Sequence, residues 1–403
     1  MLQNLTSQVG QRITVSGFLG SLLSLQFHQL MPCCYTLLMR LADLDYALPI
    51  ELIAQRPPER RDGSRMLMLD RKHGRYEDCQ FSDLPSLLRG DELLVYNNAR
   101  VIPARLFGKR KGSRAQPPSR VTQKAYLQGQ VEVFLTKRIE PEIWESLVRP
   151  GRKLPVGEQI IFGDGELEGE VLARAELGLR TIRFRSTTSE PVDSLLERLG
   201  HVPLPPYIER EDETTDRSRY QTIFAKKPGA IAAPTAGLHF TPEILEKILA
   251  TGAEACEITL DVGLGTFQPI HTDDLKDHVM HAEAYEIAEE TAGKIIAARS
   301  SGRKIVAIGT TVVRALEDSA LRAAQFGAKG LVTSGRAEAT LFITPGFEFR
   351  VVEALLTNFH LPRSTLLALV CSFAGRENVL NAYRHAVGAK YRFYSYGDCM
   401  FIR

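Results

Sequence analysis

The sequence predicts an α/β protein, α+β overall, that is interrupted by a run of short strands. Two observations carry this. From about residue 192 onward, helix and strand periods alternate, as βαβα units around an at least partly parallel sheet require. From Leu106 to about Arg185 the pattern changes to short alternating segments punctuated by Gly and Pro, the spacing of a small β-barrel or sandwich. A chain of 403 residues has room for two or three domains. Its 44% hydrophobic and 24% charged residues are ordinary for a globular protein. The net charge of +2 does not by itself indicate a partner.

Residues 1–42 hold no acidic residue and only two arginines, Arg12 and Arg40. Gln26, His28, Gln29 and Pro32 break the apolar patches there, which makes a poor membrane span. Residues 1–38 are read as an extension, either an upstream-start artefact before Met39 or a targeting-like segment. Leu93 to Tyr96 reads as a strand ending in an Asn-Asn turn. "GQVEVFLTKR", "EQIIFGDGELEGEVLARA" and "LRTIRFRS" supply the short strands. Val192 to Leu199 reads as a helix, and the prolines of "HVPLPPYI" force extended or turning backbone. "TPEILEKILATG" is a helix with Thr241 as N-cap, Pro242 at the first position and Gly252 just past the end. "EACEITLDV" is a strand, "AEETAGKIIAARSSG" a helix, "KIVAIG" a strand and "TTVVRALEDSALRAA" a helix. Val351 to Phe359 reads as a strand and Leu366 to Phe373 as a helix, so "HLPR" joins a strand end to a helix start.

The six cysteines form no CxxC pair, and Cys33 and Cys34 are adjacent. This is neither a zinc pattern nor a disulfide framework, so a reducing, cytoplasmic compartment is expected. "HVMHAE" brings His278, His281 and Glu283 close together without a metal-ligand spacing; no metal is expected and proton transfer fits better. In "KPGAIAAPTAGLHF" small residues allow close backbone approach to a ligand before His239. "DVGLGTFQP" starts like a dinucleotide fingerprint but has Gln268 at the third glycine position, so it reads as a glycine-lined wall. Gly309, Thr310 and Thr311 stand at a strand end and helix start, where anionic groups bind. His360 and Arg363 stand at another. Each has a plain alternative as a cap or a satisfied core group. Leu93 to Val131 holds Arg100, Arg105, Lys109, Arg110, Lys111, Arg114, Arg120 and Lys124 with no acidic residue, a candidate phosphate contact or a solvated loop. The closing "AKYRFYSYGDCMFIR" would stack on bases or pack as aromatic core.

Eight stretches in order, "NNARVIPARLFG", "HVPLPPYI", "YQTIFAKKPGAIAAPTAGLHF", "VGLGTFQPI", "DHVMHAE", "AIGTTVVRALE", "TNFHLPRSTLLALVCSFAG" and "YRFYSYGDCMFI", resemble the S-adenosylmethionine:tRNA ribosyltransferase-isomerases of queuosine biosynthesis. The resemblance runs from about Met39 to Arg403. It departs in a longer basic insertion at 109–130 and in Asp261, where many members carry histidine. It implies an α/β sandwich-type catalytic domain (39–100 and 192–403) carrying an inserted small β-barrel domain (101–191). It also implies a transferase/isomerase that moves the ribosyl part of S-adenosylmethionine onto 7-aminomethyl-7-deazaguanine at the tRNA wobble position, giving epoxyqueuosine and releasing adenine and methionine. S-adenosylmethionine would be consumed as a co-substrate, tRNA would be the partner, and a monomer is expected.

The sulfonium acidifies the 5′ carbon of the ribose, so this chemistry needs a base, a proton donor for adenine and a dry pocket. His239, His281 and His360 sit in matching motifs and are the unranked acid/base candidates, with an intrinsic pKa of about 6.5. Gly263, Gly265 and Thr266 would wall the nucleoside, and Thr235 and Gly237 would bind substrate. Thr310, Thr311 and Arg363 would hold polar ends of S-adenosylmethionine or a tRNA phosphate, Arg314 would bind substrate, and Asp398 would pair with the incoming amine. Arg100, Arg105, Lys109, Arg110 and Lys111 would meet the nucleic acid. Two other classes compete: a methyltransferase, which would release S-adenosylhomocysteine, and a non-catalytic RNA-binding protein.

Overall fold

A computed structural model describes residues 40–112, 129–263, 272, 274–278, 280–327 and 331–403. The extension 1–38, the middle of the basic insertion with Arg114, Arg120 and Lys124, and Gly265 and Thr266 lie outside the described residues.

Strands β1 (Arg65–Asp70), β2 (Arg75–Gln80), β3 (Glu92–Asn97) and β4 (Ala99–Val101) open the chain. β5 (Arg105–Arg110), β6 (Gln130–Glu140), β7 (Ile143–Arg149), β8 (Gln159–Phe162), β9 (Leu167–Arg174) and β10 (Leu179–Ser186) follow. These six close into a barrel in the order β10-β7-β6-β5-β8-β9, with antiparallel neighbours throughout. Their alternation turns Leu106, Val131, Val133, Phe162, Val171, Ile182 and Phe184 inward. Helix α1 (Val192–Leu199) packs Leu195 and Leu196 onto the same cluster. Gly108 in β5 allows the close approach of β8, because a Cβ there would stand 2.7 Å from Ile160 Cγ2 and 2.8 Å from Ile161 O.

The remaining strands are β11 (Lys227–Ala230), β12 (Glu254–Leu260), β13 (Glu283–Ile287), β14 (Lys304–Ile308), β15 (Gly335–Ala339), β16 (Ala354–Asn358) and β17 (Cys399–Ile402). A nine-stranded sheet runs β15-β13-β12-β3-β14-β16-β17-β1-β2. Its centre, β12-β3-β14-β16, is parallel. β3 is buried on both faces, as central parallel strands are. Residues of these strands alternate between two clusters. Leu93, Val95, Ile305, Ala307 and Leu355 join one. Leu94, Val306, Ile308 and Leu356 join the other. Helices α2 (Pro242–Ala250), α3 (Glu289–Ser300), α4 (Thr310–Gln325), α5 (Thr365–Ala374) and α6 (Arg376–Gly388) cover the sheet. The expected α/β sandwich with an inserted β-barrel is the fold observed.

Local signals act as written. Thr241 accepts a hydrogen bond from Ile244 N and Pro242 opens α2. β16 begins three residues later than its apolar run, at Ala354. The N–H groups of Arg350, Val351 and Val352 donate instead to the buried carboxylate of Glu317 on α4, at 2.8–3.0 Å. The closing aromatic segment is core: Tyr391, Phe393 and Tyr396 are buried. Among the described residues no helix is long and apolar enough to cross a membrane.

Candidate active site

Parallel neighbours β14 and β16 end side by side, and each turns directly into a helix. β14 passes through Gly309 into α4. Gly309 has φ +100°, a conformation that favours glycine, and its N–H donates to Leu356 O at 2.8 Å. The α4 N-terminus has no side-chain cap, so its first-turn N–H groups are a ready anion site. β16 passes through His360 to Arg363 and reaches α5, where Ser364 Oγ caps Leu367 N at 3.2 Å. Between the two strand ends lies a cavity of about 180 Å³. Thr235 and Ala236, Gly309 to Thr311, Thr357 to Ser364, Tyr394 and Ser395 line it, with Tyr207. This is the carboxyl edge of a parallel sheet, where α/β proteins place ligands.

Strain gathers here. Arg363 (φ +57°) and Tyr394 (φ +74°) are two of the three described non-glycine residues with positive φ, and both line the cavity. Such backbone costs about 1–3 kcal/mol per residue and persists where surrounding contacts over-determine it. Arg363 N donates to Leu44 O at 3.0 Å, and its guanidinium grips Asp45, with Nε 2.9 Å from Oδ2.

His360 lines the cavity and is 7% exposed. Its Nε2 lies 2.8 Å from Thr357 Oγ1, its N–H donates to the Tyr383 hydroxyl, and its carbonyl accepts from the Tyr46 hydroxyl. Burial drives its pKa down to about 3. His239 stands one hydrogen bond behind the wall. Its Nδ1 is 2.9 Å from Ser64 Oγ, and its Nε2 is 3.3 Å from Asn358 Nδ2. Burial lowers its pKa to about 4, against the hydrogen bond from Asn358, which raises it; nearby Arg61 and Arg392 add to the lowering. Both imidazoles are therefore neutral at neutral pH. Asn358 Nδ2 donates to Tyr394 O at 3.0 Å and to His239 Nε2, so Oδ1 is the remaining acceptor. Oδ1 is buried with no partner among the described residues. A buried amide oxygen without a donor costs about 1–3 kcal/mol, which a ligand N–H or O–H would remove.

These two histidines set a pH dependence of stability. Unfolded, each binds a proton below its ordinary value of 6.5; folded, neither does until about 4 or about 3. The unfolded chain binds more protons throughout that window, so the stability present above pH 6.5 is lost as pH falls through it. At pH 5 the loss is about 2 kcal/mol for each histidine. Urea unfolding at pH 7 and pH 5 should show it, and the double variant His239→Gln/His360→Gln should flatten it. An equally steep decline in that variant would assign the effect to carboxylates instead.

The other expected site residues divide. Thr235, Thr310, Thr311 and Arg363 meet at the cavity. Gly237 lies beneath it, against Thr222. Gly263 does not reach it; with Asp261 and Arg100 it lines a separate groove of about 800 Å³ beside barrel residues Lys137, Arg138 and Trp144. Burial raises the pKa of the Asp261 carboxyl. His281 is exposed and outside the cavity. Arg314 and Asp398 hold protein, not ligand space. Arg314 is 3% exposed and paired with Glu283 at 2.7 Å. Asp398 accepts from Arg65 N at 2.9 Å and Arg392 N at 2.8 Å. Of the basic run, Arg100 pairs with Glu197, Arg105 with Glu132 and Lys111 with Glu168. Arg110 is buried because strand alternation turns it inward, so it presents no guanidinium to a phosphate; Lys109 is exposed. Sequence reasoning missed Asn358, Thr357, Tyr207, Tyr394 and Ser395. Asn358 sits inside "TNFHLPRSTLL", but nothing local marks an amide whose oxygen will be orphaned.

Comparison with known proteins gives the family of the chain. Residues 41–402 match the family model described as queuosine biosynthesis protein. A protein of Solibacter usitatus, named S-adenosylmethionine:tRNA ribosyltransferase-isomerase, is 50% identical over 90% of this chain and 100% of its own length. One of Sorangium cellulosum with the same name is 48% identical over 91% of this chain and 99% of its own. A crystal structure of S-adenosylmethionine tRNA ribosyltransferase from Thermotoga maritima is 36% identical, covers 90% of this chain and 100% of that one, and superposes with a TM-score of 0.47.

Proposed function

The chain belongs to the S-adenosylmethionine:tRNA ribosyltransferase-isomerase family of queuosine biosynthesis, and from that premise we propose its reaction and its reacting groups. The protein transfers and isomerises the ribosyl moiety of S-adenosylmethionine onto 7-aminomethyl-7-deazaguanine at the tRNA wobble position. The product is epoxyqueuosine in tRNA, with adenine and methionine released, and the cytoplasm is the expected place. One observation supports the assignment of this chemistry to the cavity between β14 and β16 above others. It joins a buried neutral imidazole, an orphaned amide oxygen and an uncapped helix N-terminus in one cavity.

In this reading the α4 N-terminus, with Thr310 and Thr311, takes the carboxylate of the methionine part. Asn358 Oδ1 accepts a donor of the nucleoside. His360, already neutral, takes the proton that the sulfonium has acidified at the 5′ carbon. Burial makes the resulting imidazolium strongly acidic, so it hands the same proton to the departing adenine nitrogen and returns to its starting form. The aminomethyl amine of the tRNA base then attacks the rearranged sugar, and methionine leaves as the epoxide closes. His239 touches none of the reacting atoms; it positions Asn358.

Mixing the protein with S-adenosylmethionine and tRNA carrying the 7-aminomethyl base, and following products by chromatography, tests the reading. Free adenine that depends on the modified tRNA is expected; S-adenosylhomocysteine in its place would mean methyl transfer and overturn it. Asn358→Leu should weaken S-adenosylmethionine binding by about 10–100-fold, the worth of one buried hydrogen bond at about 1–3 kcal/mol. Calorimetric titration giving an unchanged Kd would remove Asn358 from the site.

A further inference from the structure

Around His239, on the side away from the main cavity, Arg61 and Arg219 stand without acidic partners, and Arg392 has near it only the Asp398 carboxylate, which is also paired with Arg65. Arg61 donates to Leu238 O at 3.3 Å and Ser218 O at 2.7 Å. Arg219 donates to Glu59 O and Pro58 O, and its Nε is buried with no partner among the described residues. Arg392 donates to Arg56 O. Every one of these acceptors is a neutral backbone carbonyl. The neighbouring guanidiniums are neutralised: Arg56 by Glu213, Arg60 by Asp62, Arg65 by Asp398 and Arg210 by Asp216.

Arg61 and Arg219 are neighbours, and Arg61 and Arg392 both act on His239. Arg61 and Arg219 line one small pocket with His239, Ser395 and Gly397. The Arg392 carbonyl lies against Gly397, 2.5 Å from where a Cβ would stand. Burial lowers the pKa of Arg61, with Arg219 adding to it, and burial likewise lowers that of Arg392. All three are half-buried, so each retains a face toward solvent. A guanidinium has five N–H donors, and these use one or two each, which leaves forks suited to a planar or tetrahedral oxyanion. Ser395 lines both this pocket and the main cavity. A nucleotide reacting in the cavity carries phosphodiesters along its strand, and buried Ser395 is the wall that this pocket shares with the cavity.

We infer that Arg61, Arg219 and Arg392 form a binding site for a phosphodiester of the tRNA backbone, flanking the reacting nucleotide. This rests on the ribosyl-transfer reading. It also moves the nucleic-acid contact away from Arg100, Arg105 and Lys111, whose charges are already matched by glutamates.

The test is binding of modified tRNA across a salt series, beside adenine release by the unaltered protein. Each of Arg61→Gln, Arg219→Gln and Arg392→Gln should weaken binding severalfold and lower the slope of log affinity against log salt by a share of the about 0.7 that one single-stranded phosphate contributes. Arg60→Gln, which removes an exposed pair with Asp62, should change neither. Because Arg61 and Arg219 also brace backbone carbonyls, Arg219→Lys serves as the second variant; it keeps the charge and should keep the slope. Unchanged slopes in all three Gln variants, with adenine still released by the unaltered protein, would overturn this site alone. A raised KM for S-adenosylmethionine with an unchanged tRNA slope would give the cluster to a small carboxylate and also overturn it. Absence of both tRNA binding and adenine release in the unaltered protein would sink the ribosyl-transfer reading, and this site with it.

Discussion

His360→Ala is expected to lower adenine release by about 10²–10⁴-fold at saturating substrates, the usual worth of one positioned acid/base group. The expectation separates three histidines that look equivalent in the sequence. His360 lines the cavity, its backbone is held at both ends by Tyr383 and Tyr46, and its Nε2 is oriented by Thr357. The backbone bonds survive truncation to alanine, so the loop should keep its course while the proton carrier is lost. His239→Ala should act mainly on binding, since that ring reaches the cavity only through Asn358. His281→Ala should leave turnover near its normal value, because the side chain is exposed and outside the cavity. Single-turnover assays of the three variants decide the matter. Full activity in His360→Ala would move the proton transfer to another group.

Arg314→Met is expected to destabilise the protein by about 3–5 kcal/mol, the cost of leaving one member of a buried ion pair alone. Arg314 and Glu283 are each 3% exposed and meet at 2.7 Å. Arg314 also donates to Ala339 O and His281 O, so a single side chain on α4 ties together the start of β13 and the end of β15. Met fills much of the space but leaves the Glu283 carboxylate in a dry interior. Arg314→Met/Glu283→Leu should recover part of the loss, because no charge is then stranded, although Ala339 O loses its donor. Urea unfolding at neutral pH would show the difference. A single-variant loss below about 1 kcal/mol would mean that water reaches Glu283 and that the pair is not dry.

Much of the fold was legible because its causes are local. Thr241, Pro242 and Gly252 mark α2 through groups a few residues apart, and β3, β14 and β16 stand out as short apolar runs, as parallel strands buried on both faces do. The strand-to-helix turns at Gly309 and at His360 to Ser364 were equally readable, and Thr310, Thr311, His360 and Arg363 there line one cavity. Arg314 was misjudged for a definite reason. A charged residue in the motif "GTTVVRALE" looks like a ligand contact until the other end of its ion pair, on a different strand, is known.

The sequence by itself determined the alternation of elements, their caps, the family resemblance and the clustering of polar residues at strand ends, since each depends on residue order or on contacts within a few positions. Only the tertiary structure decided which of those groups line one cavity. His239 and Asn358 are 119 positions apart, and Ser64 and His239 are 175 apart. Burial by those distant elements, not residue type, holds both imidazoles neutral, orphans the Asn358 oxygen and leaves Arg61 and Arg219 without a carboxylate partner. Desolvation is a property of the packed whole, and no window of sequence contains it.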